Sequence, residues 1–137
     1  MSYLDILEKQ LEVDEGKRNK MYLDSRGIQT IGIGHNLRDN PISDRAVRVI
    51  FEDDVADAEA DTRKLFTNFN DLTDTRKAVL INMMFNMGYN TLSEFHHLIE
   101  AVKIGDWIGA GAAMTNSVWA HQVGIRADRL EDLMRDG

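Results

Sequence analysis

Two carboxylic acids and a hydroxyl lie close together near the start of the chain, at Glu15, Asp24 and Thr30. Two carboxyl groups can divide acid–base work when one is protonated and the other ionised. Glu15 falls at a predicted helix end, where the negative end of the helix dipole disfavours a charged carboxylate. Together with burial, that position would favour the protonated acid. The three side chains therefore make a candidate reaction centre.

The same residues also have ordinary structural roles. Asp24 precedes Ser-Arg-Gly, a sequence typical of an Asx-type turn. Thr30 is a common residue type in strands, and Glu15 could be a surface charge at a helix end. From spacing alone the structural roles are favoured, because two carboxylates and a hydroxyl on one hairpin are suggestive and not specific.

The N-terminal pattern predicts the elements that would position these side chains. Ser2 can cap a first helix that runs to about Glu15 and ends at Gly16. Two short strands then follow around a turn at Gly27, since apolar and polar residues alternate on both sides of it. Ser43 can cap a long helix reaching about residue 65.

The second half of the chain is mostly helical. A helix over about 74–87 is apolar on nearly every side, so it is predicted to be the centre of the larger core. Further helices are predicted at about 91–103 and 106–114, with one helix or a bent pair over about 116–135. This order predicts the α+β class.

The domain prediction is one domain over residues 1–137 with two lobes. The small lobe covers about 14–45, and the helical lobe covers about 1–13 and 60–137. The long helix over about 43–65 joins them, and the join is a natural place for a cleft.

Composition excludes several classes of function. The chain has 16 basic and 23 acidic residues, a net charge of −7, which argues against nucleic-acid binding and gives no help in approaching an anionic membrane or wall. Cysteine is absent, so no disulfide or thiol chemistry is available. The longest apolar run is four residues, far short of a membrane helix, and the N-terminus lacks the pattern of a signal peptide.

The stretch "DEGKRNKMYLDSRGIQTIGIGH" (residues 14–35) resembles the catalytic stretch of the phage-type lysozymes, the muramidase family of T-even bacteriophages among others. The resemblance resumes at "RKAVLINMMFNMG" (76–88), which is similar to that family's central helix. It continues more loosely through Trp107 and Trp119 to "IRADRLEDLM". It therefore covers most of the chain.

The resemblance implies a chemistry for the three candidate residues. Glu15 would be the general acid that protonates the glycosidic oxygen, Asp24 would hold or activate the attacking water, and Thr30 would position that water. The bond would be the β-1,4 link from N-acetylmuramic acid to N-acetylglucosamine in peptidoglycan. The family is inverting, for which two carboxyls ~6.5–9.5 Å apart are expected. Neither a metal nor an organic cofactor is implied.

Five further residues receive supporting roles, some by the resemblance and some by their own position in the sequence. Phe85 and Asn36 would touch substrate, although Phe85 reads equally well as core. His35 is expected to make a structural pair with Asp54. Arg126 matches an arginine near the family's catalytic glutamate, and its alternative is a surface arginine.

The departures from the family concern the sugar subsites. The chain is shorter than the best-known members, and the loss falls after His35, so a third strand and a short helix of the small lobe are expected to be missing or reduced. Asn36 replaces an apolar residue, and Leu98 and Ala113 stand where polar sugar contacts are expected. These changes put the substrate range in doubt and leave the reaction class in place.

The expected setting is a phage or prophage endolysin, made in the host cytoplasm and acting on the wall at lysis. It would need a holin-type membrane lesion to reach peptidoglycan, and nothing in the sequence requires more than a monomer. The alternatives are a virion tail lysozyme, a lytic transglycosylase and a catalytically inactive module that binds muropeptide. The intact Glu15, Asp24 and Thr30 favour hydrolysis over the last two.

Overall fold

A computed structural model describes every residue from Met1 to Gly137. The chain divides into two compact units, Met1–Val49 and Ile50–Gly137. The elements in chain order are α1 (Tyr3–Glu15), β1 (Arg18–Leu23), β2 (Gln29–Gly32), β3 (His35–Asn36), α2 (Asp44–Leu65), a short 3-10 helix (Phe69–Asp71), α3 (Asp74–Met87), α4 (Tyr89–Leu92), α5 (His96–Ile104), α6 (Trp107–Thr115), α7 (Val118–Val123) and α8 (Ile125–Asp136). The predicted α+β class is confirmed.

The N-terminal unit begins with α1, whose two ends follow the sequence signals. Ser2 and Asp5 form a capping box, in which each side chain accepts a hydrogen bond from the other residue's backbone N–H. Gly16 ends the helix at φ 80°, a left-handed value that glycine adopts readily. Both predicted helix ends are confirmed.

The sheet of this unit is antiparallel, in the order β1-β2-β3. Tyr22 lies opposite Thr30 and Arg18 lies opposite Gly32, so β1 contains a bulge between Arg18 and Tyr22. The third strand is reduced to His35 and Asn36, and no helix lies between it and α2. The expected reduction of the small lobe after His35 is therefore observed.

Helix α2 spans the boundary between the units. Its start follows Ser43, whose Oγ accepts a hydrogen bond of 3.1 Å from the N–H of Ala46. The N-terminal unit includes α1, which the sequence prediction assigned to the helical lobe. The predicted division into lobes stays a prediction.

The C-terminal unit holds the hydrophobic core. Helix α3 contributes four buried side chains to it, Val79, Leu80, Met83 and Met84, whereas the predicted central place of this helix stays a prediction. The segment predicted as one helix over about 91–103 forms two helices, α4 and α5. The C-terminal segment forms the bent pair α7 and α8, which meet at Gly124 with φ 58°. None of the helices combines the length and the apolar character needed to cross a membrane.

Candidate active site

Glu15 is the last residue of α1, and its side chain lies against the turn between β2 and β3. A Cβ atom added at Gly34 would come within 3.0 Å of Glu15 Cγ and 3.1 Å of its Cβ and Cδ. Gly34 has φ 70°, a backbone conformation that favours glycine, and a Cβ here would force the Glu15 side chain to move by a few tenths of an ångström. The Glu15 side chain is exposed, so the burial expected from the sequence is not found. The turn supports the stem of the acid and leaves the side chain accessible.

Asp24 occupies the turn between β1 and β2 as an Asx-type residue. Its Oδ1 accepts hydrogen bonds from the backbone N–H of Arg26 at 2.8 Å and of Ile28 at 2.9 Å. The bond from Ile28, followed by that from Arg26 and the charges of Arg26 and Arg38, lowers the pKa of Asp24, although partial burial opposes the shift. Asp24 is therefore ionised at neutral pH. Its second oxygen, Oδ2, accepts no hydrogen bond from the protein.

Thr30 is buried at the start of β2, with 4% of its surface exposed. Its Oγ1 donates a hydrogen bond of 2.8 Å to the carbonyl of Ile28. Because the hydroxyl proton is used in this way, Oγ1 can still accept a hydrogen bond from another donor but cannot donate one.

A single residue connects Asp24 and Thr30. The N–H of Ile28 donates to the Asp24 carboxylate, and the Ile28 carbonyl accepts from Thr30 and from the Asp24 N–H at 3.0 Å. Ile28 is itself buried, at 5% exposure. The structure thus brings the second carboxyl and the hydroxyl together through one backbone segment, while Glu15 lies at the other turn of the same sheet.

His35 and Asn36 organise the loop that follows β3. His35 Nε2 lies 3.0 Å from the carbonyl oxygen of Asn40. The Asn36 amide donates to the Asp39 carboxylate and accepts from the Asp39 N–H, both at 3.0 Å. The pairing of His35 with Asp54 and the substrate contact of Asn36 stay predictions.

In the C-terminal unit, Phe85 lines a groove of about 300 Å³ and is not a core residue. The residue is 48% exposed. The other lining residues are Asp54, Asp57, Ala58, Asp61 and Met84. Three carboxylates therefore surround the space beside the ring, and the role of Phe85 as a substrate contact stays a prediction.

Arg126 is held by an amide on the central helix. Its Nε and Nη2 donate to Asn82 Oδ1 at 3.2 Å and 2.6 Å, which fixes the guanidinium against α3. Arg126 is therefore a positioned residue and not a mobile surface cation. Its predicted place near the acid stays a prediction.

Comparison with known proteins identifies the family. A family model described as phage lysozyme matches residues 12–135, which is most of the chain and includes the candidate residues of the N-terminal unit. The chain belongs to the phage lysozyme family. The predicted family and the predicted lysozyme class of activity are thereby confirmed.

Three relatives extend this family match. Probable T4-type lysozyme 2 and Probable T4-type lysozyme 1 of Dictyostelium discoideum are 26% and 28% identical, and in both cases the alignment covers 96% of this chain and 94% of the relative. The Pre-baseplate central spike protein Gp5 of Enterobacteria phage T4 is 29% identical over 96% of this chain. The alignment covers only 28% of that spike protein.

Three features of this phage lysozyme were missed by sequence reasoning. From the sequence, Gly34 was recognised only as part of a motif, and its contact with Glu15 was not predicted. The available signal was the pair of closely spaced glycines, Gly32 and Gly34, in "GIGH". The bridging role of Ile28 has no sequence signal, since it depends on backbone direction. A cavity of about 600 Å³ in the C-terminal unit, lined in part by Phe95, Leu98 and Trp119, was also not foreseen.

Proposed function

We propose that this protein is a muramidase that hydrolyses the β-1,4 bonds between N-acetylmuramic acid and N-acetylglucosamine in peptidoglycan. The observation that carries the proposal is the phage lysozyme match over residues 12–135, which contains the whole "DEG…TIGIGH" stretch. The geometry of the N-terminal unit supports it, because two carboxyls and a hydroxyl with different environments belong to one small sheet and the helix end beside it.

Glu15 is the proton donor in this proposal. A glycosidic oxygen leaves only when it gains a proton, so one carboxyl must carry a proton that it can give up. Glu15 is the last residue of α1 and is exposed, so a saccharide could lie over its side chain and exclude water from it. Gly34 allows the side chain to lie against the sheet at this point.

Asp24 and Thr30 handle the water. Asp24 is ionised because Ile28 and Arg26 donate to Oδ1, and its free Oδ2 can accept a proton from water. Thr30 Oγ1 can accept a second hydrogen bond from the same water, since its own proton goes to Ile28. A water held in this way attacks the anomeric carbon opposite the leaving oxygen, which inverts the configuration.

We further propose that the protein is a phage or prophage endolysin acting in host lysis. It would be made in the host cytoplasm as a monomer and would reach the wall through a membrane lesion made by a holin. The support is the family match together with two relatives that are named lysozymes. The alignment with this chain covers nearly the whole length of each of them.

A second setting is a lysozyme carried on the virion. The observation that favours it is the 29% identity with part of the phage T4 central spike protein. The two settings differ in one measurable respect, because a virion lysozyme is found in purified particles and an endolysin is found only in the lysate.

The test of the reaction is loss of turbidity of purified peptidoglycan by wild type, Glu15→Gln and Glu8→Gln. Glu8→Gln removes the same charge from the same helix and should lyse like wild type. Glu15→Gln should lose at least ~100-fold in rate. Equal rates for wild type and Glu15→Gln would contradict the assignment of the acid, and no lysis by any of the three would favour the binding-module alternative.

Product analysis separates hydrolysis from transglycosylation. Hydrolysis leaves a reducing-end muramic acid, and inversion gives its α-anomer first. A 1,6-anhydro product would contradict the role of Asp24 and Thr30 in holding water.

A further inference from the structure

Charge is divided unevenly along the chain. Residues 16–40, which include the sheet, carry five cationic and two anionic side chains, a net charge of +3. All other residues together carry 11 cationic and 21 anionic side chains, a net charge of −10. The net charge of −7 therefore conceals a local excess of positive charge on the sheet.

Three of these five cations, Lys17, Arg18 and Lys20, lie together at the start of the sheet, and we call them the cationic segment. Arg26 lies apart from them, in the turn between β1 and β2. All three side chains of the cationic segment are exposed, and none of them makes an ion pair within the protein. The guanidinium of Arg18 lies over the Tyr22 ring, with Cζ 4.6 Å from the ring centroid. Arg38, by contrast, is already paired with Asp39 at 3.1 Å.

The cationic segment is directly adjacent to the proposed reaction site. Arg18 and Lys20 belong to β1, an edge strand of the sheet, and the bulge in β1 lies between Arg18 and Tyr22. The neighbouring strand β2 carries Thr30, and paired strands lie ~4.8 Å apart. A polymer bound along β1 would therefore lie beside the residues that hold the water.

We propose that the cationic segment binds the anionic groups of the wall polymer, phosphates or carboxylates, and holds the polymer alongside the site. This inference rests on the proposed muramidase function. Exposed lysine and arginine side chains suit such groups because they donate several hydrogen bonds and attract a polyanion at a distance. The remainder of the chain, at −10, offers no comparable excess of cations. The cationic segment can therefore attract an anionic wall polymer, although the net charge of the whole chain is negative.

The test measures binding to purified peptidoglycan by co-sedimentation, with Glu15→Gln in every protein so that the polymer is not consumed. At about 0.1 M salt, where charges act over ~10 Å, Lys17→Gln/Lys20→Gln should raise the half-saturating polymer concentration roughly 2- to 30-fold. At about 1 M salt, where the range falls to ~3 Å, the difference should disappear.

The matched control is Lys9→Gln/Lys103→Gln, which removes two exposed lysines outside residues 16–40 and should bind like the parent. Melting temperatures of both variants check that each is folded. An unchanged half-saturating concentration for Lys17→Gln/Lys20→Gln, or a loss that persists at 1 M salt, overturns the proposal.

Two modified polymers identify the bound group. Removing the attached phosphate polymers should abolish the lysine effect if phosphates are bound, and amidating the carboxyls should abolish it if carboxylates are bound. A lysine effect that survives both treatments overturns the proposal. If wild type lyses peptidoglycan but Lys17→Gln/Lys20→Gln does not change binding, the role of the cationic segment is rejected and the muramidase function is not. If binding depends on these lysines but wild type releases no sugar, the muramidase function is rejected.

Discussion

Replacing Gly34 by alanine tests whether the turn beside Glu15 sets the position of the acid. The new Cβ would lie 3.0–3.1 Å from three side-chain carbons of Glu15, a few tenths of an ångström inside ordinary contact. The Glu15 side chain must therefore shift. Since a misplacement of about 1 Å in a catalytic group costs ~100-fold in rate, this smaller shift should cost roughly 3- to 30-fold in kcat.

Gly32→Ala is the matched control for this substitution. Gly32 has φ 68°, nearly the 70° of Gly34, but a Cβ there meets nothing within 4 Å. Both variants should lose about 1–2 kcal/mol of folding free energy from the left-handed backbone. The assay is peptidoglycan turbidity together with the melting temperature of each variant. Equal kcat in the two variants would refute the proposed role of the Gly34 contact.

Three further outcomes are expected. The lowered pKa of Asp24 contributes stability that is fully present above the unfolded pKa of about 3.9 and is lost as pH falls through the folded pKa. The melting-temperature advantage of wild type over Asp24→Asn should therefore be present at pH 6 and shrink as pH falls below about 3.9. Thr30→Val should cost about 1–2 kcal/mol in urea unfolding and slow lysis, whereas Thr30→Ser should restore both. Ser2→Ala should cost about 1 kcal/mol through the lost cap and leave the lysis rate of the folded protein unchanged.

Much of the fold follows from signals that are local in sequence. Helix α1 begins at the capping box of Ser2 and Asp5 and ends at Gly16, and α2 begins after Ser43. Gly124 separates the last two helices. These boundaries could be predicted because caps and glycines with positive φ act within a few residues of the helix end. The break between α4 and α5 was not foreseen. Residues 93–95 contain no glycine or proline, so the sequence carries no strong stop signal there.

The sequence named candidate site residues, but it did not indicate how they are arranged in space. The contact between Glu15 and Gly34 joins positions distant in sequence, and no periodicity encodes it. The sequence left two roles open for Asp24, a turn residue or a functional carboxylate. The structure shows the turn role through Oδ1 and leaves Oδ2 without a hydrogen bond from the protein, while the functional role stays a prediction. The expected burial of Glu15 was wrong because accessibility depends on neighbours that the local pattern does not specify.

The measurement that tests the central claim most directly compares two leaving groups. Peptidoglycan needs a proton on its leaving oxygen, whereas an oligosaccharide with a dinitrophenyl leaving group does not. If Glu15 is the proton donor, Glu15→Gln should lose at least ~100-fold on peptidoglycan and stay within about threefold of wild type on the activated substrate. A loss of similar size on both substrates would contradict the account.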